Sequence, residues 1–369
     1  MKIQTTRTDL LNSIMFASRV ISSKNTNYIL SGLMMEADQE LSVYSTDLET
    51  NIKTSIKANI LEKGKLVVPS RIILNILKNF PESKIELEFQ PDTNQLKITC
   101  QKAAFNLNTF PLEEFPQFPQ IKKENSFYID MKNFKKIVNK TQRSISNDEG
   151  RVILTGVLCE IKDDVFSMVS TDSYRLSFVE QKLKDLNQQI SVVIPGKVLE
   201  NIAKSETNDG KLEVNIEASQ ISFGIMDKNG FKATIVSRLL SGKFPDYKQL
   251  IPKNVKHNIV VDREKLLEVV KRISSISQDN IPISLELAEG NMKVFMDIKE
   301  VGSSSEEFKV PYGEEKIEIA FNPQFLIDGI NMIEGKNIIL GIEESLKPVL
   351  LKQEQDQSLF YLLMPIRIS

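Results

Sequence analysis

One segment recurs three times. It reads Leu66-Val67-Val68-Pro69-Ser70-Arg71-Ile72-Ile73-Leu74, then Val193-Ile194-Pro195-Gly196-Lys197-Val198-Leu199, then Ile319-Ala320-Phe321-Asn322-Pro323-Gln324-Phe325-Leu326. Each copy is a short apolar run, a proline and an amphipathic stretch, which predicts a strand leading into a helix. The copies stand roughly 130 residues apart, a period that implies three similar domains in tandem. Three like domains leave little sequence for a unique catalytic centre.

A second repeat runs in phase with the first. A short strand, a polar break and a helix open each unit, at Ile3 with Leu10-Leu11, at Phe127 with Phe134, and at Ile259 with Leu266-Leu267. Alternating strands follow, such as Leu33–Ala37 with Leu41–Ser45, Val157–Ile161 with Val165–Val169, and Ile283–Leu287 with Met292–Met296. Each domain therefore reads as strand–helix–strands done twice. The expected fold is α+β, with largely antiparallel sheets and one helix per half-domain covering a sheet face. Strands at the domain edges stay available for pairing with a neighbour. Prolines near Phe118-Pro119 and Ile251-Pro252 set the expected divisions, giving domains at 1–120, 121–252 and 253–369.

Composition excludes several classes. Of 369 residues, 41% are hydrophobic and 26% charged, ordinary values for a soluble globular chain. No apolar run is long enough to suggest a membrane span, and the first residues lack the apolar core of a secretory signal. One histidine, His257, in a Lys/Asn-rich linker, precludes a histidine-rich metal site. The two cysteines, Cys100 and Cys159, lie in different repeats without metal-ligand spacing, so buried thiols in a reducing cytoplasm are expected. No cofactor and no metal is expected.

Net charge is −2, yet the charge is segregated. Five of the six predicted helices are net basic. The helix over 131–143 carries Lys132, Lys135, Lys136, Lys140 and Arg143 and no acid. Lys132, Lys136 and Lys140 form one stripe opposite an apolar face of Met131, Phe134, Ile137 and Val138. Like charges at this spacing cost a helix a few tenths of a kcal/mol per pair, so a solvated lysine face competes with a phosphate-facing one. Repetition over five helices favours the phosphate reading, with weak, salt-sensitive and sequence-independent attraction. The helix over 322–334, with Asp328 and Glu334, is the acidic exception. An enzyme using Asp47 and Asp172 is the rival. Both follow a Ser-Thr pair after a strand, where Asp is a turn former, and no nucleophile–base pair accompanies them.

These pieces resemble a known family. Thr171-Asp172-Ser173-Tyr174-Arg175-Leu176, Gly242-Lys243-Phe244-Pro245-Asp246-Tyr247, the ending Met364-Pro365-Ile366-Arg367-Ile368, Asn322-Pro323-Gln324-Phe325-Leu326 and Thr109-Phe110-Pro111 are similar to motifs of the bacterial sliding clamp, the beta subunit of the replicative DNA polymerase holoenzyme. The resemblance covers the whole chain. It implies a cytoplasmic, non-enzymatic processivity factor: a head-to-tail homodimer of six domains, closed into a ring with helices inside and sheets outside, encircling double-stranded DNA.

The resemblance also implies sites. Lys24, Arg71, Arg151 and Lys197 match DNA-contacting positions, to which the charge stripe adds Lys132, Lys136 and Lys140. Leu154, Thr171, Ser173, Tyr174, Arg175, Leu176, Pro245, Leu250, Leu362, Met364, Pro365, Ile366 and Arg367 match an apolar pocket for partner peptides. Tyr174 and Gln249 depart from the histidine and the basic residue common there. Phe105 and Leu107 on the first domain and Ile276 on the third match the ring interface, where Lys102, Glu300, Glu306 and Glu307 could add complementary charge. The implied partners are the polymerase alpha subunit, the clamp loader, and other polymerases, mismatch-repair and ligase proteins carrying clamp-binding peptides.

Overall fold

In a computed structural model of the chain, residues 1–21, 27–122, 126–183, 189–228, 230–252, 254–277, 281–354, 356 and 358–367 are described. Six α-helices occur among them: α1 (Arg7–Ala17), α2 (Ser70–Asn79), α3 (Met131–Thr141), α4 (Gly196–Ala203), α5 (Arg263–Ser274) and α6 (Pro323–Met332). Five fall inside a stretch expected to be helical, and α5 ends at Ser274, one residue beyond the expected 263–273.

The openings of the three domains share one local device. A strand ends in a residue whose side chain accepts a hydrogen bond from the new helix, satisfying one of its orphan N–H groups. Thr6 accepts from Asp9 N at 3.1 Å, Asp130 from Asn133 N at 2.9 Å and Asp262 from Lys265 N at 2.9 Å. The second helices differ. Pro69 caps α2 and Pro195 immediately precedes α4, but α6 is capped by Asn322, whose side chain accepts from Phe325 N, and Pro323 is its first residue. The third proline is thus shifted by one place, into the first helical turn where a missing N–H costs nothing.

The chain divides into two compact units, one of residues 1–136 with 197–239, the other of 137–196 with 240–369. All strand pairings among the described residues are antiparallel. The first unit holds a five-stranded sheet ordered Asn59–Glu62, Lys2–Thr6, Lys84–Gln90, Gln95–Cys100, Ala103–Asn108. It also holds an eight-stranded sheet, at whose middle Lys232–Arg238 pairs with Thr50–Ile56. The second unit has an eight-stranded sheet joined at its middle by Arg175–Lys182 against Leu359–Leu363. Its four-stranded sheet is ordered Gly302–Lys309, Asn291–Ile298, Ile283–Ala288, Ile317–Phe321.

Each eight-stranded sheet therefore draws four strands from each of two consecutive domains. Four edge strands that the sequence left available are paired within the chain, Lys232–Arg238 with Thr50–Ile56 and Arg175–Lys182 with Leu359–Leu363. Under the sheets, α1 buries Leu10, Leu11, Ile14 and Phe16, and α5 buries Leu266, Val269, Val270 and Ile273, the apolar positions of their heptad-like patterns. His257 is not in a linker. It is the first residue of the strand His257–Asp262 and pairs with Ile342.

Candidate partner-peptide site and nucleic-acid interface

The turn after the strand Val165–Thr171 is built by its own side chains. Asp172 Oδ1 accepts from Tyr174 N (2.9 Å) and Arg175 N (3.0 Å), and Thr171 Oγ1 accepts from Ser173 N (3.1 Å) and donates to Arg175 O (2.7 Å). Ser173 at the tip has φ +80°, the left-handed region that a tight turn requires. The first domain repeats this at Asp47, which accepts from Glu49 N and Thr50 N, with Leu48 at φ +77°. Both carboxylates of the rival enzyme reading are thus committed to turns.

Arg175 leaves this turn inward. Its Nε donates to Asp172 Oδ2 at 3.0 Å, its Nη1 to Asp328 Oδ2 at 2.5 Å, and its guanidinium lies 4.1 Å from the Phe325 ring centroid. Asp328 also receives Arg143 Nη1 at 3.2 Å, and Lys140 pairs with Glu334 at 3.1 Å. The acidic stretch of the sequence is α6 with Glu334 two residues past its end, and both carboxylates pair with cations of α3 and the residues just after it. Tyr361 donates to Phe325 O at 2.9 Å and lies against Gly329, where a Cβ would come within 2.6 Å of the Tyr361 ring.

Beside the turn is an apolar cluster. Leu154, Leu176 and Leu362 are buried in it together with Leu158, Val169, Val193, Phe244 and Tyr247, and Met364 packs against it partly exposed. Leu154, Thr171, Leu176 and Leu362 are at most 5% exposed, so they can supply only a floor, not a surface. Tyr174 (61%), Leu250 (41%), Ser173, Pro245 and Arg367 are the exposed members of the expected pocket set. The C-terminal segment is docked, not loose. Met364 N donates to Tyr174 O and Ile366 N to Ala320 O, leaving Met364, Pro365 and Ile366 half-buried and Arg367 exposed. Ile368 lies outside the described residues. Arg151, expected at DNA, donates to Asp148 and to Ser173 Oγ (3.0 Å), at the rim of this turn.

The basic residues separate into three kinds. Arg71, Lys132, Lys136 and Lys197 are exposed. Lys140 is held by Glu334 with its side chain 15% exposed. Lys135, counted in the basic helix, is buried and donates to Ser205 O and Asn208 Oδ1, and burial lowers its pKa. Lys24 lies outside the described residues.

At the expected ring interface, the strand Ala103–Asn108 is an edge of its sheet. Phe105 is 43% exposed and stands 5.5 Å from the Phe80 ring, whereas Leu107 is buried opposite Leu96. The strand Gly302–Lys309 is an edge of the four-stranded sheet. Glu306 on it is not free, because it accepts from Lys265 Nζ (2.7 Å) and Arg272 Nε (2.9 Å). Lys102, Glu300 and Glu307 are exposed and Ile276 is half-buried.

Sequence reasoning missed Asp328, Phe325 and Arg143 as partners of the turn. Only the acidity of α6 hinted at them. Among the described residues no group of His, Cys, Asp and Glu could hold a metal, and Cys100 and Cys159 are buried and free. No helix of the described residues is long and apolar enough to cross a membrane.

Three consecutive stretches match domain families: residues 1–119 the N-terminal, 128–246 the central and 248–367 the C-terminal domain of the DNA polymerase III beta subunit. The chain is 30% identical to the beta sliding clamp of Streptomyces coelicolor over the full length of both. It is 30% identical to that of Rickettsia bellii over 97% of each. Among solved structures it resembles the DNA polymerase sliding clamp of Bacillus subtilis, with a TM-score of 0.94, 27% identity and full coverage of both chains. The Bartonella birtlesii sliding clamp bound to griselimycin gives 0.94 and 26%, again over both whole chains. With three clamp domains in order and full-length relatives, the chain belongs to the beta sliding clamp family, the non-catalytic DNA polymerase III subunits that act as processivity factors.

Proposed function

We propose that two copies of this chain close head to tail into a ring around double-stranded DNA. The observation that supports this is the way the sheets are joined. Each domain supplies two half-sheets, one with the domain's opening strand and one without. Both junctions inside the chain join the second kind from one domain to the first kind from the next. Two half-sheets stay unjoined, the opening-strand half of the first domain, ending at Ala103–Asn108, and the other half of the third, ending at Gly302–Lys309. They are complementary in kind, so the same junction can form between copies, and a heterologous contact that closes leaves no raw edge. Phe105 is the exposed aromatic anchor at this edge, flanked by Lys102, with Glu300, Glu307 and Ile276 on the opposing side.

Exposed Arg71, Lys132, Lys136 and Lys197 attract phosphate without reading bases. Lys140 and Arg151 join them only by exchanging an internal carboxylate for a phosphate. Tyr174, Pro245, Leu250 and Met364, over the floor of Leu154, Leu176 and Leu362, take a partner peptide bearing apolar anchors, such as that of the polymerase alpha subunit or the clamp loader. The setting is the cytoplasm.

Sedimentation tests the ring. A dimer of about twice the chain mass is expected, reduced to monomer by Phe105→Asp. A wild-type monomer at micromolar concentration contradicts it. Loaded protein should be retained on circular DNA and lost on linearisation, and equal retention on both rules out topological binding. Met364→Ala with Leu250→Ala should abolish peptide binding and leave the dimer intact.

A further inference from the structure

A cavity of about 230 Å³ in the first compact unit belongs to neither site above. It lies between α1, the segment after α4 and the turn before the strand Lys232–Arg238. One wall is apolar, where Phe16 and Phe231 meet edge to face with centroids 5.7 Å apart. A second is cationic. Arg19 lies 4.5 Å over the Phe16 ring and donates Nη1 to Asn201 O (2.6 Å) and Nη2 to Lys204 O (2.9 Å). Both acceptors are neutral carbonyls, and among the described residues no carboxylate stands at ion-pair distance from Arg19. A half-buried cation hydrogen-bonded only to carbonyls retains N–H donors, and exposed Glu206 acts on its charge from beyond ion-pair distance. Beside it Ser205, 6% exposed, has a buried hydroxyl with no hydrogen-bond partner. A buried polar atom of this kind ordinarily has a partner, and together Ser205 and Arg19 offer donors that an anionic group could accept from. Opposite charge is also present, since exposed Glu206 and Asp9 line the same cavity.

The internal repeat shows that this space is not imposed by the fold. Counting from the buried Leu199 of α4 and Leu326 of α6, Ser205 stands where the later helix has Met332. Met332 and the following Ile333 are fully packed, at 0% and 1% exposure. A small polar residue has replaced a large apolar one, and an open space lined by both charges and two aromatic rings remains.

We propose that this cavity binds a small zwitterion with an apolar body, a free apolar α-amino acid. Its carboxylate meets Arg19 and the Ser205 hydroxyl. Its ammonium meets Glu206 and Asp9, and its side chain lies on Phe16 and Phe231. The volume is below that of a drug-sized pocket and suits one such residue.

Isothermal titration of the full-length protein with L-phenylalanine tests this. Saturable binding with a Kd on the order of 1 mM is expected. N-acetyl-phenylalanine lacks the ammonium and phenylalaninamide the carboxylate, and each should bind at least about tenfold more weakly. Ser205→Met, which fills the space as Met332 does, should abolish binding. Glu206→Gln, an exposed change that leaves packing untouched, should weaken L-phenylalanine and leave N-acetyl-phenylalanine unaffected. No saturable binding up to about 10 mM, or equal binding of the blocked forms, overturns the proposal. A chain-terminal peptide ligand would instead show as one blocked form binding as well as the free amino acid, and that also overturns it.

Discussion

Arg175 and Asp328 are joined by a 2.5 Å bond across 153 residues of sequence, and the Asp328 carboxylate also holds Arg143. One carboxylate therefore ties the turn beneath Tyr174 to α6 and to the residues following α3. The Arg175 and Asp328 side chains are 12% and 13% exposed, so the pair is little screened by water. Removing one partner of such a pair strands the other charge.

Asp328→Asn should therefore lower stability by about 3 kcal/mol. It should also weaken partner-peptide binding by roughly tenfold, because the turn loses its anchor. Urea denaturation and peptide titration measure the two effects. Asp328→Glu should recover part of both. Unchanged peptide affinity in a variant with an intact dimer would separate α6 from the peptide site.

Glu306 gives a pH prediction. Hydrogen bonds from Arg272 and then Lys265 hold its pKa down to about 2. An ordinary Glu titrates near 4.3, so the folded state holds the charged form more strongly than the unfolded chain does. The contribution is complete above the unfolded value and is lost as pH falls toward the folded one. Glu306→Gln should thus flatten the fall in Tm between about pH 5 and pH 2, and an unaltered slope would contradict this.

Gly329 is a packing requirement, not a flexible point. Any Cβ there meets the ring of the fully buried Tyr361 at 2.6 Å and the side chain of Leu351 at 3.0 Å. Gly329→Ala gains helix propensity but forces overpacking, for a net loss of about 1–3 kcal/mol. Thermal unfolding decides it, and a raised Tm would show that the Tyr361 ring moves freely.

Burial pushes the Cys159 thiol up to about 12, which keeps it protonated and unreactive at neutral pH. Iodoacetamide at pH 8 should leave Cys159 unlabelled in the native protein and label it at the rate of unfolding. Rapid native labelling, read by mass spectrometry, would contradict its placement in the sheet.

Local pattern made the repeated units legible. The strand-to-helix steps at Thr6, Asp130 and Asp262 follow from caps and periodicity, both of which act over a few residues. The turns at Asp47 and Asp172 were legible for the same reason. What the sequence did not show is long-range. Periodicity could not tell that Lys135 turns toward Ser205 O while Lys132 faces solvent, since both lie on a basic helix. Nor could it show that Asp328 meets Arg175, or that Leu154, Leu176 and Leu362 are buried, because motif matching names positions and not exposure. The shift of Pro323 into α6 went unread because a proline fits either side of a helix start.

The two shared sheets bear on how such a chain can be cut. A break near residue 120 falls beside the bonds that tie the linker to the central domain, Lys122 N donating to Glu217 Oε1 at 2.9 Å and Asn215 Nδ2 to Lys122 O at 2.7 Å. A break there, or one near residue 252, leaves its junction held without a covalent link, Lys232–Arg238 against Thr50–Ile56 by their ladder and the pairs Lys232–Glu40 and Arg238–Glu49, and Arg175–Lys182 against Leu359–Leu363 by their ladder, the Phe178–Phe360 stack and Arg175–Asp328. An excised central domain would carry both of these strands bare, one at each end, and invite non-native pairing in any crowded solution. The repeat seen in the sequence is therefore a unit of local structure, while the sheets that cover its edges are completed only by the neighbouring repeat.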